Sequence, residues 1–201
     1  MAKQVIISIG REYGSGGHEI ARKLAERFSL PFYDRKILDE IANEKNVDAD
    51  TLHKYDEAPK NPLFSRTVRG FSNSLEEVVA NMQFDYLKAK AGSGESFVVV
   101  GRCSEVVLKE YDGFISIFIL GDEDVKAERI SKDRDISISK AKAVMYRHDK
   151  KRKSYHNYYF SNKWGDSRSY DMTINSSKQG IDATVDLLEN YIRVRTNEQN
   201  N

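Results

Sequence analysis

Cysteine, proline and tryptophan are scarce in this sequence of 201 residues. It holds one cysteine, Cys103, with three prolines and one tryptophan. A single cysteine excludes a disulfide within the chain and a metal site built from several cysteines, and it is typical of a reducing compartment. No apolar run approaches the length of a signal-peptide core or a membrane span. We therefore expect a cytoplasmic protein without a membrane partner.

The sequence also lacks an excess of charge of either sign. The 32 lysines and arginines nearly cancel the 31 acidic residues, for a net charge of +1. Bulk charge thus gives no reason to expect a nucleic-acid partner, although local clusters of charge can still be functional. A hydrophobic fraction of 39% is enough for a buried core, and the length predicts a single domain over residues 1–201.

The most informative stretch is a strand, a glycine cluster and a helix near the start. Val5–Ile9 is apolar and β-branched, Gly14–Gly17 holds three glycines in four residues, and apolar residues then recur at helical spacing up to Phe28. This order points backbone N–H groups and the positive end of a helix at an anion, most often phosphate. A tight turn without a ligand is the plainer alternative.

Two standard phosphate motifs fit this stretch only in part. The P-loop pattern G-x-x-x-x-G-K-[ST] requires a lysine and then a hydroxyl residue after Gly16, whereas Gly17, His18 and Glu19 follow it. The dinucleotide pattern G-x-G-x-x-G has no third glycine in register. We therefore favour a phosphate ligand over a nicotinamide cofactor.

Further apolar runs indicate the fold class. Residues 97–100 and 114–120 are largely apolar runs between helical patterns, and residues 172–175 are a further strand candidate. Such alternation predicts an α/β fold with a parallel sheet covered on both faces, in which ligands bind beyond the carboxyl ends of the strands. The residues expected at that edge are the glycine cluster, Asp34, Gly101, Arg102, Asp122 and Asn175.

Two arginines follow predicted strands directly. Arg11 ends the first strand and Arg102 follows Phe97–Gly101. Arginine binds phosphate through its planar fork, so both are candidate phosphate ligands. For Arg11 a surface ion pair with Glu12 is an equally good interpretation.

A basic run lies late in the chain. Residues 147–153 carry five cations, among them Arg147 and Arg152, around Asp149 and His148. A solvated helix face is the plain interpretation, and RNA binding is a third. In a phosphate-transfer enzyme, such a run instead fits a lid that closes over the phosphates.

Five segments together resemble the cytidylate-kinase-like family, a branch of the P-loop nucleoside monophosphate kinases. They are ISIGREYGSGGHEIARKLAERF, FYDRKILDEIA, VVVGRCSEVVL, HDKKRKSYHNYY and YDMTINSSKQGIDATVDLL. The resemblance implies a three-layer P-loop kinase-like fold, with a mostly parallel sheet, a helical substrate-side insertion over 35–95 and a lid over about 130–165. It also implies ATP and Mg²⁺ as cofactors, and a nucleotide and a small phosphate acceptor as partners.

The resemblance carries over residue by residue. The implied ATP-binding residues are Gly14, Ser15, Gly16, Gly17 and His18. The implied acceptor-binding residues are Asp34, Arg35 and Arg102. The catalytic candidates are Arg11, Arg147, Asp149 and Arg152.

This chain departs from the family pattern where chemistry matters most. The phosphate-binding lysine falls on Gly17, the magnesium-binding hydroxyl falls on Glu19, and the aspartates that flank the pocket arginine fall on Val100 and Cys103. The magnesium ligands stay open. Either Arg11 and a carboxylate such as Glu12, Glu19 or Asp34 replace these groups in a kinase, or the protein is a nucleotide-binding sensor with weak or no catalysis.

Overall fold

A parallel sheet forms the centre of the molecule. The computed structural model describes residues 4–56, 67–68, 71–72 and 74–197. Within these ranges the sheet has five strands in the order β2-β5-β1-β6-β7, and every pairing is parallel. A separate antiparallel ladder joins β3 to β4. The strands are β1 Ile6–Arg11, β2 Phe32–Tyr33, β3 Thr67–Val68, β4 Phe71–Ser72, β5 Phe97–Val100, β6 Phe114–Leu120 and β7 Met172–Asn175.

Helices connect the parallel strands, as a parallel sheet requires, because each crossover must return the chain to the same end. A short 3₁₀ turn at Ser167–Ser169 precedes β7. The helices are α1 Gly17–Phe28, α2 Ile37–Lys45, α3 Ala49–Lys54, α4 Leu75–Gly92, α5 Ser104–Val107, α6 Glu123–Arg134, α7 Ile138–Tyr159 and α8 Ile181–Asn197.

The central strands are buried on both faces. In β5, Phe97 and Val99 belong to the core under α2 and α4, whereas Val98 and Val100 belong to the core under α1 and α8. Since side chains alternate along a strand, a continuous apolar run is what two covered faces demand. The predicted three-layer α/β fold is confirmed, and part of the predicted insertion, α2 and α4, forms one of the outer layers.

Local boundaries differ from expectation in two places. The helix expected from Arg35 begins at Ile37, because the Asp34 carboxylate accepts the N–H of Lys36 at 2.8 Å and closes a turn before the helix. The polar segment 46–73 contains α3, as expected, and also the β3–β4 ladder, which no pattern predicted. Its basic residues Lys60, Arg66 and Arg69 lie outside the described residues.

The predicted break in the late helical segment is confirmed. Asp135 ends α6 in the left-handed conformation with φ 50°, and the Ser137 hydroxyl caps α7 by accepting the N–H of Lys140. Across the described ranges, we find no helix with the length and apolar character needed to cross a membrane.

Candidate functional site

The loop between β1 and α1 has the shape of a phosphate cradle. Gly14 and Gly16 have φ of 83° and 78°, a region that favours glycine. A Cβ on Gly14 would lie 2.8 Å from the Cδ1 of Ile130, and one on Gly16 would lie 2.9 Å from the Cδ1 of Ile181. The loop therefore packs tightly against its surroundings. Helix α1 begins at Gly17, whose N–H donates to the Ser15 hydroxyl at 3.3 Å, and its N-cap residue Gly16 makes no side-chain cap bond. An anion at this end would complement both the N–H groups and the helix dipole.

Ser15 stabilises the loop from beneath. Its side chain is fully buried, and its hydroxyl donates to the carbonyl of Glu12 at 2.9 Å. The hydroxyl of Ser176, just beyond β7, donates to the carbonyl of Ser15 at 2.6 Å. Of the predicted loop residues, Gly14, Gly16, Gly17 and His18 line the cleft above the loop, and Ser15 anchors it from the protein side.

Arg11 crosses the mouth of this loop. A Cβ on Gly17 would lie 2.5 Å from the Cβ of Arg11, and a Cβ on Gly101 would lie 2.0 Å from its Nη1. The Arg11 side chain therefore begins beside the first residue of α1 and ends over the turn after β5. Both neighbours are glycines, which leaves room for it.

Glu12 lines the cleft above the loop and pairs with a cation of α6. Its Oε2 is 2.7 Å from the Nζ of Lys126, which is buried, and it accepts the N–H of Gly121 at 3.1 Å. The predicted alternative, a surface pair of Arg11 with Glu12, does not occur among the described ion pairs, since the partner of Glu12 is Lys126. This pair ties the loop to the start of α6.

Tyr13 joins the loop to α7. Its N–H donates to the Oδ1 of Asp149 at 2.7 Å, and its ring stacks on His148 with centroids 4.2 Å apart. The guanidinium carbons of Arg134 and Arg152 each lie 5.5 Å from the centre of the same ring. The basic run thus contacts the glycine loop directly through its inner side.

Burial governs the two titratable groups of this contact. Desolvation raises the pKa of Asp149, although the Tyr13 N–H and the charge of Arg152 oppose that shift. Desolvation also lowers the pKa of His148, and the charges of Arg152 and Arg134 lower it further. His148 is therefore stacked on Tyr13 as a neutral imidazole near neutral pH.

A cleft of about 300 Å³ opens above the loop. Four arginines line it: Arg11, Arg152, and Arg129 and Arg134 of α6. The Nη1 of Arg129 donates to the carbonyl of Gly14 at 2.8 Å. Four arginines beside backbone N–H groups suit this cleft to an anionic ligand such as a polyphosphate.

A second cleft of about 290 Å³ adjoins the first. Asp34, Arg35 and Arg102 line it, as predicted, together with Asp56 and Lys151. The two clefts share four lining residues, so a group bound in one cleft faces a group bound in the other. The shared residues are Arg11, Tyr13, His18 and Arg152.

His18 and Asp34 lie where the clefts meet. The Nε2 of His18 is 2.9 Å from the Oδ2 of Asp34. Burial alone would raise the pKa of Asp34, but the Lys36 N–H and His18 lower it below its ordinary value. Asp34 is therefore an ionised carboxylate at the boundary between the two clefts.

Arg102 lies in an unusual turn. Gly101, Arg102 and Cys103 have φ of 71°, 61° and 51°, so three consecutive residues are left-handed. Non-glycine residues in this region cost of order 1 kcal/mol each and are found most often at functional sites. The Arg102 guanidinium is buried and paired with the Asp56 carboxylate.

The predicted catalytic residues of the basic run separate in the structure. Arg152 lines both clefts, and its Nη1 donates to the carbonyl of Arg11 at 3.2 Å. Asp149 holds the loop through Tyr13, whereas Arg147 lies on the exposed side of α7 and lines neither cleft. The reason is helical geometry, because residues 147 and 152 project from different sides of α7.

Three contributors escaped the sequence reasoning. Arg129 and Arg134 reach the loop from α6, and Asp56 reaches Arg102 from the end of α3. The two arginines are five residues apart, which is not a spacing that places side chains on one side of a helix, so the sequence pattern did not indicate that both reach the loop. Asp56 gave no local signal either, because its partner is 46 residues away in the chain.

The residues present fit a nucleotide phosphate better than a bound metal alone. Four arginines and the N–H groups of the glycine loop can contact phosphate oxygens, and Gly14 and Gly16 let the loop pack directly against Ile130 and Ile181. Within the part of the chain that the structure describes, no group of three or more histidine, cysteine or acidic side chains is arranged to hold a metal. Magnesium in nucleotide sites commonly takes only one or two carboxylates and completes its shell with phosphate oxygens and water. Asp34 and Glu19, which line the two clefts, are suited to that part.

The strand order, the helical layers and the glycine loop between β1 and α1 define the class: this is an α/β protein with a P-loop kinase fold. The profile of the cytidylate kinase-like family matches residues 6–178. The chain belongs to that family.

Individual relatives agree with this assignment. The chain is 26% identical over 190 residues to a cytidylate kinase of Pyrobaculum islandicum, covering 94% of this chain and 92% of the relative. The crystal structure of an uncharacterized protein from Eubacterium ventriosum is similar, with 38% identity, a TM-score of 0.75 and coverage of 94% and 99%. Shikimate kinase from Bacteroides thetaiotaomicron shares the fold at 13% identity, with a TM-score of 0.53 and coverage of 94% and 98%.

Proposed function

We propose that this protein is an ATP-dependent kinase that transfers a phosphoryl group to a nucleoside monophosphate of the CMP or dCMP type. The observation that carries the proposal is the meeting of two cationic clefts at Arg11, Tyr13, His18 and Arg152. A phosphotransferase needs this arrangement, because donor and acceptor phosphates must approach in line with little charge repulsion.

The glycine loop binds ATP, the phosphoryl donor. The N–H groups at the start of α1 bind the β- and γ-phosphates of ATP, with Gly14, Gly16, Gly17 and His18 against them. Arg129 and Arg134 supply positive charge to this cleft. Membership in the cytidylate kinase-like family and the P-loop kinase fold support this assignment.

Arg11 takes the part of the missing lysine. Its side chain starts beside Gly17, the position at which a P-loop lysine would begin, and lines both clefts. A guanidinium there contacts phosphate oxygens of donor and acceptor at once through its fork. Arg11 therefore neutralises the charge that spreads over the transferring group.

The second cleft binds the acceptor nucleoside monophosphate, which Asp34, Arg35 and Arg102 contact. One bond forms between an oxygen of the acceptor phosphate and the γ-phosphorus, and the bond from that phosphorus to the β,γ-bridging oxygen breaks. The products are ADP and a nucleoside diphosphate, with no covalent enzyme intermediate. The attacking phosphate oxygen already carries negative charge, so the enzyme need not remove a proton from it.

Positioning and charge thus supply the catalysis. Arg152 reaches both clefts from α7, and Asp149 fixes the loop against the same helix through Tyr13. Asp34 and Glu19 are the carboxylates suited to hold Mg²⁺, which would supply positive charge to offset the charge on the transferring group. Closure of residues 130–165 over bound phosphates would exclude water from the reaction.

The test is a turnover assay with purified protein, ATP and Mg²⁺ against CMP, dCMP, UMP, AMP and GMP, following ADP release. We expect turnover with CMP or dCMP above the rate with ATP alone. Absence of transfer to every monophosphate would reject the kinase assignment. Nucleotide binding by calorimetry that neither needs Mg²⁺ nor leads to turnover would instead support the alternative, a nucleotide-binding sensor.

A further inference from the structure

Asp56 is bound by the cations of the acceptor cleft. Its Oδ1 accepts from the Nη1 of Arg102, and its Oδ2 lies 3.4 Å from the Nε of Arg35. Its backbone carbonyl accepts from the Nζ of Lys151 at 3.1 Å. The side chains of Asp56 and Arg102 are 8% and 3% exposed, so this is a buried ion pair at the wall of the cleft.

The charge of this cleft exceeds what one carboxylate balances. Among the described residues that line it, five side chains are cationic and two are carboxylates. Of these two, Asp34 pairs with His18, whereas Asp56 pairs with Arg102 and Arg35. Buried cations require negative charge nearby. The Asp56 carboxylate supplies part of the negative charge that an anionic ligand would supply when bound.

We propose that Asp56 occupies the acceptor-phosphate position on Arg102 and thereby sets the specificity of the cleft for phosphate-monoester dianions. The inference rests on the proposed function for the identity of the cleft. A bound dianion displaces the Asp56 carboxylate from Arg102 and Arg35. Arg102 thus exchanges the Asp56 carboxylate for the bound phosphate.

The selectivity follows from charge and geometry. A phosphate monoester carries close to two negative charges and three terminal oxygens, enough to contact Arg102, Arg35 and Lys151 together. A carboxylate ligand has one negative charge and two oxygens, as the Asp56 side chain has. Asp56 also competes from within the same chain at high effective concentration. Carboxylates and uncharged alcohols are therefore disfavoured in this cleft.

The alternative is that Asp56 stays in place and merely positions Arg102. The two readings predict opposite effects of removing its charge. If Asp56 competes with the ligand, Asp56→Asn strengthens anion binding. If Asp56 positions Arg102, the same variant weakens it.

The experiment is calorimetric binding of CMP and of inorganic phosphate, without ATP, to wild type, Asp56→Asn and Asp186→Asn. Asp186 is a matched control, since its exposed carboxylate pairs with Arg27 at 2.6 Å and lines neither cleft. We expect Asp56→Asn to bind both probes about tenfold more tightly, because the Asp56 carboxylate no longer competes for Arg102 and Arg35. Asp186→Asn should match wild type. Equal or weaker binding by Asp56→Asn, or no binding of either probe to any variant, would overturn the inference.

A second measurement uses the wild-type protein and does not depend on whether Asp56→Asn folds. In a crystal structure with CMP, we expect phosphate oxygens on Arg102 and the Asp56 carboxylate out of contact with it. An intact Asp56–Arg102 pair beside bound CMP would reject the proposal. Because both measurements report binding, tighter binding by Asp56→Asn without turnover would reject the kinase assignment alone and leave the role of Asp56 standing.

Discussion

The side chain of Arg11 fills the space in which a side chain on Gly17 would have to begin. The Cβ of Arg11 lies 2.5 Å from the position of a Cβ on Gly17. In the P-loop pattern G-x-x-x-x-G-K, a glycine stands at the position of Arg11 and a lysine at that of Gly17. This chain has the two kinds of residue exchanged, and the steric contact explains why each requires the other.

The exchange predicts a coupled pair of substitutions. Arg11→Gly should lower turnover by about 10²- to 10³-fold, as loss of one preorganised charge commonly does. Gly17→Lys alone should destabilise the protein by about 1–3 kcal/mol, because its Cβ meets that of Arg11. The double variant Arg11→Gly/Gly17→Lys should be more stable than Gly17→Lys and more active than Arg11→Gly. ATP turnover and thermal denaturation of all four proteins measure this coupling.

The matched control for the pair is Arg11→Gly/Gly17→Gln, which restores side-chain bulk at position 17 without its charge. This variant should be more stable than Gly17→Lys, but its turnover should stay as low as that of Arg11→Gly. If the two double variants show equal turnover, Arg11 fills space and does not act through its charge.

Gly101 supports Arg11 from the other side and offers a separate prediction. A Cβ at Gly101 would lie 2.0 Å from the Nη1 of Arg11, the flexible end of that side chain. Gly101→Ala should therefore displace the Arg11 guanidinium and weaken binding of a non-hydrolysable ATP analogue about tenfold or more. Gly94→Ala is the control, since Gly94 has a similar φ of 83° but no atom near its Cβ position. Both variants should lose about 1 kcal/mol of stability from the left-handed backbone, and equal ATP-analogue binding by both would contradict the role of Gly101.

The bond from the Tyr13 N–H to Asp149 predicts that the loop depends on α7. Asp149→Ala removes the acceptor and leaves a partly buried N–H unpaired, which should cost about 1–3 kcal/mol of stability. Asp149→Asn keeps a carbonyl oxygen as acceptor and removes a charge that burial disfavours, so its cost should be smaller. Urea denaturation of the two variants tests the order. Equal losses would show that the charge, through Arg152 at 3.8 Å, matters more than the hydrogen bond.

Much of the fold could be predicted from sequence because its signals are local. The continuous apolar run 97–100 and the strand–glycine–helix stretch near the start each identify a buried strand from nearby residues alone. The alternation of these runs with helical patterns then restricts the sheet to parallel order. By contrast, β3 and β4 are two residues each and give no periodicity to detect.

The site was less predictable because its contacts join distant parts of the chain. Arg11, Asp34 and Arg102 follow strands, and the parallel sheet collects them at one edge, so topology alone indicates that they meet. The contact of Asp56 with Arg102 depends instead on how α3 packs, which the sequence does not encode locally. Similarly, choosing Arg152 over Arg147 requires the rotation of α7 about its axis, which follows only from its packing against α6.

The stack of His148 on Tyr13 predicts an acid-sensitive glycine loop. Burial and the neighbouring arginines lower the pKa of His148 from its ordinary value of 6.5, so in the unfolded chain this group takes up a proton at higher pH than in the folded protein. In the pH range below 6.5 and above the folded-state pKa, the unfolded state therefore binds more protons, and stability falls as pH falls. Above 6.5 the imidazole is neutral in both states and the penalty is absent. His148→Gln cannot be protonated, so it should lose less stability than wild type between pH 7.5 and pH 5, as measured by urea denaturation at both values. Other acid-sensitive groups cancel in this comparison, and the same loss in both proteins would mean that His148 is accommodated on Tyr13 equally well when charged.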